Sequence, residues 1–316
     1  KVLTNRKFNS YAENPAAASQ AFQLRRSLWR TGAQITNNNA VINKVNTAWE
    51  AIDDVVNDLG SDLASVSALR GITGSAASSR QSLGQVLQST ADAVVKTMNI
   101  TYGDTFIFAG ADGLNVPFVW GDDGTLQYRG VGVDADAASA DYGALQAMAG
   151  ETTYVDIGLG LSEAGSGVLI ESSAFNSALS GLTYLGYGMD EDGDPKNIVS
   201  LMKQLGTILS GCDPDSGNFA SEADEETADR LTNKLQTALS ALSVRHTELD
   251  SQATFLNTNV TRLESTKDTL NEQLVGIEDI DSADAISSMA WAQYCYNAAL
   301  KIGNSILSQS LLDYMD

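Results

Sequence analysis

LQTALSALSVRHTELDSQATFLNTNVTRLESTKDTLNEQLVGI, residues 235–277, places an apolar residue alternately four and three positions apart. The seam runs through Leu235, Leu239, Leu242, His246, Leu249, Ala253, Leu256, Val260, Leu263, Lys267, Leu270, Leu274 and Ile277, and only His246 and Lys267 depart from apolar character. A mean period of 3.5 residues belongs to a helix that keeps one stripe against neighbouring helices over many turns. A helix this long draws its stability from such packing and therefore needs partners.

One partner lies upstream. Val45, Trp49, Ile52, Val56, Leu59, Leu63 and Val66 repeat the same spacing. This helix is expected to start at Asn14, a side chain suited to capping, with Pro15 in the first turn, where a missing N–H costs nothing. Gly71 and Gly74 break the pattern, and Leu83, Leu87, Val94 and Met98 mark a second amphipathic stretch that folds back along the first.

Between Thr105 and Ile170 the composition shifts to Gly, Asp, Tyr and Val in short runs such as Thr105-Phe106-Ile107-Phe108 and Tyr154-Val155-Asp156-Ile157. Asp-Gly turns separate them, so a β-rich insert is expected. Phe175 to Tyr187 and Ile198 to Leu209 read as shorter helices. The fold class is then mainly α: a long antiparallel helical bundle, flagged by its two seams, with an inserted β-rich lobe at one end. The expected division is an N-terminal arm of the shaft over 1–104, the lobe over 105–190, a C-terminal arm over 191–280 and a terminal helix over 281–316, capped by Asp281. Ile286, Met289, Trp291, Tyr294, Tyr296, Leu300, Ile302, Ile306, Leu307 and Leu311 spread around that last helix too widely for one neighbour to cover. Ile286, Trp291, Tyr294, Tyr296, Leu300, Leu307 and Leu311 are accordingly the candidate association residues.

Forty acidic residues against 19 basic ones give a formal charge of −21, which repels phosphate backbones and anionic head groups. Nucleic acid and membrane surfaces are not expected partners, and no apolar run approaches a membrane span. Lys1 is neither an initiator Met nor the start of a secretory signal, which leads to the expectation of a trimmed or processed chain. Cys212 and Cys295, 83 residues apart, build no disulfide scaffold.

Little in the sequence supports chemistry. His246 is the single histidine and sits in a seam, so it reads as a packed residue without partners for acid–base or metal work. Asp190, Asp192 and Asp194 resemble the start of a calcium loop, but the twelfth position from Asp190 is Leu201, which leaves a solvated acidic turn. Asp122-Asp123-Gly124 reads as a hairpin turn. Gly130-Val131-Gly132 and Gly158-Leu159-Gly160 lack the third glycine of a dinucleotide loop. Asn99-Ile100-Thr101 and Asn259-Val260-Thr261 match the glycosylation pattern, a motif short enough to recur by chance. No enzyme, metal or cofactor is expected.

Three motifs resemble the flagellin superfamily, and within it the hook-filament junction type of hook-associated protein. Glu13-Asn14-Pro15-Ala16-Ala17-Ala18 with Leu24-Arg25-Arg26-Ser27-Leu28 is similar to the family's Asp-Asp-Pro-x-Ala segment and the helix after it, with Glu-Asn replacing the acidic pair. Gly103 to Gly110, with Pro117-Phe118 and Tyr128-Arg129-Gly130, is similar to the start of the junction proteins' middle domain, which filament flagellins usually lack. Tyr296-Asn297-Ala298-Ala299-Leu300 and Ser310-Leu311-Leu312-Asp313-Tyr314 resemble the family's closing motifs.

The resemblance implies a structural subunit exported by the flagellar type III apparatus. It would join hook to filament as a ring of its own copies and template flagellin polymerisation. The implied partners are neighbouring copies, the other hook-associated junction protein, flagellin and an export chaperone. In that family the two chain ends pair as helices, and the N-terminal member is missing before Lys1, so poor assembly of this chain alone is expected. A filament flagellin is the nearest alternative; a secreted adhesin, or a binding module or enzyme carried by the lobe on a helical stalk, is the other.

Overall fold

The computed structural model describes residues 6–8, 10, 12–72, 77–165 and 167–312, with the backbone alone for 306–312. Its helices are α1 (Pro15–Ala68), α2 (Arg80–Thr97), α3 (Ala140–Ala149), α4 (Gly181–Leu185), α5 (Ile198–Ser210), α6 (Glu222–Glu278) and α7 (Ser282–Leu312). Its strands are β1 (Thr101–Tyr102), β2 (Thr105–Phe106), β3 (Ala109–Gly110), β4 (Phe118–Trp120), β5 (Leu126–Tyr128), β6 (Val131–Gly132), β7 (Tyr154–Val155), β8 (Phe175–Asn176) and β9 (Leu179–Ser180). The fold is thus mainly α with a β-rich part. Residues 36–260 form one compact unit, and residues 1–35 with 261–316 form another.

Within residues 36–260, α1, α2, α5 and α6 share one apolar core. The seam positions at seven-residue steps close completely: Val45, Ile52 and Leu59 on α1, and Leu235, Leu242, Leu249 and Leu256 on α6. The alternate positions Trp49, Val56, Leu239, Ala253 and Val260 are only partly buried, as expected for the flanks of a knobs-into-holes stripe. Trp49 stacks on His246, Gln236 reaches Ser67, and Arg70 pairs with Asp229. Contacts that descend α6 as they ascend α1 make the pair antiparallel. His246 is a packed residue, its Nε2 3.7 Å from Asp53.

α2 and α5 cross more closely than side chains normally allow. A Cβ placed on Gly84 would stand 2.5 Å from the Ser210 backbone nitrogen and 2.6 Å from the Gly206 carbonyl oxygen, so backbone meets backbone there. The Asp92–Lys203 ion pair fixes the same antiparallel pair further along. At the end of α1, the buried Arg80 guanidinium donates to the carbonyls of Leu69, Ile72 and Gly217 and lies over the Phe219 ring. One side chain thereby ties the turn after α1 to the loop that precedes α6.

The lobe is assembled from short antiparallel pairs: β1 with β2, β4–β5–β6, β7 with β8, and β3 with the distant β9. Phe108, Phe118, Leu126, Tyr128, Leu145 and Ile157 fill its interior, and the Tyr128 hydroxyl donates to the Phe108 carbonyl. Asp123 accepts from the Thr125 amide in the β4–β5 turn, where Gly124 takes φ 77°, as the Asp-Gly signal predicts. Arg129 is the one described non-glycine residue with positive φ, and its guanidinium is held by both carboxylate oxygens of Glu151.

Two local readings fail. Phe175 to Tyr187 is not a helix: it supplies β8 and β9, and only α4 is helical. Pairing with β7 and β3 wins over local propensity, and Gly181 lies against the Phe118 ring, where a Cβ would come within 2.3 Å. The lobe also contains a helix, α3, whose N-cap Ser139 accepts from the Tyr142 amide; Ser139 and the alanine-rich run after it were its signals.

The lobe meets the helices through polar clasps. Asn38 and Asn259 both donate to the Ile157 carbonyl, at 3.1 and 2.6 Å, and Asn259 also donates to Asn38 Oδ1. Lys44 donates to the Ser177 carbonyl, and Phe175 stacks on Phe255. Asn99 exchanges two hydrogen bonds with the Phe118 backbone. Both glycosylation-pattern asparagines thus spend their amide nitrogens on the fold, and Asn259 is 5% exposed.

Gly84→Ala should lower stability by about 1–3 kcal/mol through overpacking, read as a lower urea midpoint with unchanged slope. Gly143→Ala, on open helix surface, serves as the control and should not lower the midpoint. Equal behaviour of the two variants would refute the backbone-to-backbone crossing.

Candidate functional site

Asn14 Oδ1 accepts from the Ala17 amide, so the chain enters α1 with the cap and first-turn proline that its sequence announces. Ahead of that cap, the Lys7 amide donates to the Glu278 carbonyl, Lys7 Nζ reaches the Gly276 carbonyl at 2.5 Å, and the Arg6 and Asp279 backbones pair as an isolated antiparallel β-bridge. Arg25 closes the arrangement with a 2.6 Å ion pair to Glu278. The early residues are therefore stapled to the last turn of α6. Asp281 then caps α7, its Oδ1 accepting from Ala283 and Asp284 amides.

α7 leaves its apolar residues in solvent. Ile286, Trp291, Tyr294, Tyr296 and Leu300 are all more than half exposed, with Trp291 at 68% and Tyr294 at 70%. Leu307 and Leu311, the other candidate residues, lie outside the residues whose side chains are described. Helical spacing divides the exposed set into two faces. Trp291, Cys295 and Ile302 share an azimuth with Asp284, and Tyr294 packs edge-on against Trp291. Ile286, Met289, Tyr296 and Leu300 occupy the opposite side. Among the described residues only Ala285 of α7 is closed from solvent. Two bare faces on one helix leave room for more than one cover.

The sequence reading missed a second exposed set. Phe22 is 66% and Trp29 85% exposed on the first turns of α1, seven residues apart on one face. Arg26 and Arg30 flank them, and neither has an ion-pair partner among the described residues. Aromatic residues at that spacing among arginines were the available signal.

The acidic turn is not left to solvent. Lys234 Nζ donates to Asp192 and Asp194 at 2.8 and 2.6 Å and lies 2.6 Å from Asp190, while Arg230 holds Asp194 through two nitrogens. An ammonium occupies the position a metal ion would need, so the turn acts as an ionic clasp on α6. The Lys234 hydrogen bond holds Asp190 below its ordinary 3.8, and those from Arg230 and then Lys234 do the same for Asp194. Burial alone would lower Lys234, but its three carboxylate hydrogen bonds carry it well above its ordinary 10.5. Among the described residues, no other group of three His, Cys, Asp or Glu side chains is placed to hold a metal. Cys212 is buried and Cys295 exposed, both as free thiols. No described helix is long and apolar enough to cross a membrane.

No family model and no curated protein sequence matches the chain. Solved structures do. A protein assigned as a flagellar hook-associated protein from Vibrio parahaemolyticus aligns over 84% of this chain and 99% of its own, with TM-score 0.59 and 14% identity. Flagellar hook associated protein-3 from Legionella pneumophila aligns over 81% and 98%, with TM-score 0.56 and 9% identity. Bacillus cereus FlgL aligns over 80% and 99%, with TM-score 0.51 and 15% identity. The chain shares its fold with these proteins along most of its length.

Lys234→Ala leaves clustered carboxylates without their main counter-charge and should cost about 1–2 kcal/mol at pH 7. The carboxylate share of this contribution is present above the ordinary 3.8 and is lost as pH falls through the lower folded values. The lysine share is present below 10.5 and disappears only as pH rises through the raised folded value. Urea titrations of both proteins should therefore differ at neutral pH, with the gap closing only as pH falls below 3.8 and through the lowered folded values; a gap independent of pH would contradict an ionic clasp.

Proposed function

We propose that this protein is a structural subunit of the bacterial flagellum that joins hook to filament. The likeness of fold to hook-associated proteins, running over four-fifths of the chain, carries this reading. The exposed faces of α7 support it, because an assembly subunit must keep apolar area to bury later. Its mechanism is geometric. Ile286, Trp291, Tyr294, Tyr296, Leu300, Leu307 and Leu311 bury against neighbouring copies in a ring, and the completed ring offers flagellin a compatible surface on which to polymerise. Burial available only in the assembly makes joining cooperative, since an isolated copy gains nothing from it.

The partners are copies of this chain, the other hook-associated junction protein and flagellin, with an export chaperone before secretion. Nucleic acid and membrane are not partners on this reading. The protein acts without catalysis, and its location is outside the cell between hook and filament.

Immunogold labelling of intact flagella with an antibody against residues 105–170 should give a single band where hook meets filament. Label along the filament would instead mean a flagellin, and none on the flagellum would remove the reading altogether. A chain lacking residues 282–316 should keep the folded body, seen as an unchanged cooperative transition, yet fail to enter flagella. Normal incorporation of that variant would sink assembly through α7.

A further inference from the structure

The formal charge of −21 is distributed unevenly. Residues 36–260 carry ten basic and thirty acidic side chains, net −20, whereas residues 1–35 with 261–316 carry nine and ten, net −1. Within the near-neutral unit the signs separate again. Residues 1–35 hold six basic side chains and one acidic, and residues 261–316 hold three basic and nine acidic. The basic set includes Arg26 and Arg30 beside exposed Phe22 and Trp29. The acidic set includes Asp281 and Asp284 at the head of α7, the latter in line with exposed Trp291 and Ile302.

We infer that the Phe22–Trp29 face of α1 receives the Trp291–Ile302 face of α7 from a second copy of this chain. The inference rests on the assembly reading above and names the receiving surface on the neighbour. Each face is apolar and aromatic along its centre, and each carries the charge that the other lacks. Two copies of the same face would instead oppose like charges, so the signs select the unlike pairing. Where each copy offers one face forward and the other back, the pairing is heterologous and propagates into a ring when the rotation closes. The opposite face of α7, with Ile286, Met289, Tyr296 and Leu300, stays available for a different neighbour.

Cys295 lies on the proposed face and serves as a native probe. The full chain carrying Ala33→Cys and Cys295→Ser, mixed with unaltered chain under mild oxidant, should give a disulfide-linked heterodimer joining position 33 to Cys295. Ser27→Cys with Cys295→Ser, on the other side of α1, should give at least tenfold less. Equal yields from the two positions, or none from position 33, overturn the inference. In sedimentation at low salt, Arg26→Glu with Arg30→Glu should weaken association about tenfold, with Asp284→Arg on the partner restoring it and high salt erasing the difference. Association indifferent to both charge reversals overturns it, as does a chain that stays monomeric throughout. Trapping without junction labelling would remove the flagellar reading and leave this contact standing; junction labelling without trapping would do the reverse.

Discussion

The seven-residue ladder of Leu235, Leu242, Leu249 and Leu256 on α6, facing Val45, Ile52 and Leu59 on α1, sets the geometry of residues 36–260. A strict seven-residue repeat fixes which stripe of each helix turns inward, and any slip by one residue would rotate charged side chains into the seam. The apolar ladder does not by itself choose among slips by a whole heptad. Two less apolar contacts do: Trp49 stacked on His246, and Asn38 bonded to Asn259, each possible at a single register. Asn38 and Asn259 share one carbonyl, Ile157, so the register of the helices and the seating of the lobe are decided at the same place.

The lobe depends on that seating. Its strands are two or three residues long, below the length at which antiparallel pairs stand alone in water. Phe108 and Tyr128 close its interior, while Lys44, Phe255 and the asparagine pair bring it support from α1 and α6. A segment with so little regular structure is held by particular hydrogen bonds, of which the Arg129–Glu151 pair and the positive φ at Arg129 are the most demanding. The Tyr128-Arg129-Gly130 motif is thus explained within the lobe by what those residues hold together.

The helices were legible because their signal repeats: over four heptads, one deviating residue such as His246 does not obscure the period. The caps at Asn14 and Asp281 were legible for a different reason, since each is a local bond between neighbours in sequence. Phe175 to Tyr187 was misread because its partners, β3 and β7, lie far upstream, and no local pattern announces a strand two residues long. The acidic turn was judged from its own residues, whereas its cations come from Arg230 and Lys234, some 40 positions away on a helix whose register had first to be known. The exposed Phe22 and Trp29 escaped notice because an aromatic pair on a helix ordinarily signals core, and only the solvent-exposed surface of α1 shows otherwise.

The same separation governs how association can occur at all. A net −20 spread over residues 36–260 opposes close approach of two such bodies, and at physiological salt this repulsion decays over about 8 Å. Apolar attraction acts at contact, so it prevails only where the repulsion is locally absent. In this chain that place is the near-neutral unit of residues 1–35 and 261–316, which also bears the exposed faces of α7 and of early α1. Burial without direction would permit any of these faces to meet any other. On the pairing inferred above, opposite signs on different helices of one unit remove the like pairings, so apolar area supplies the attraction and a few charges at its margin decide which surfaces join.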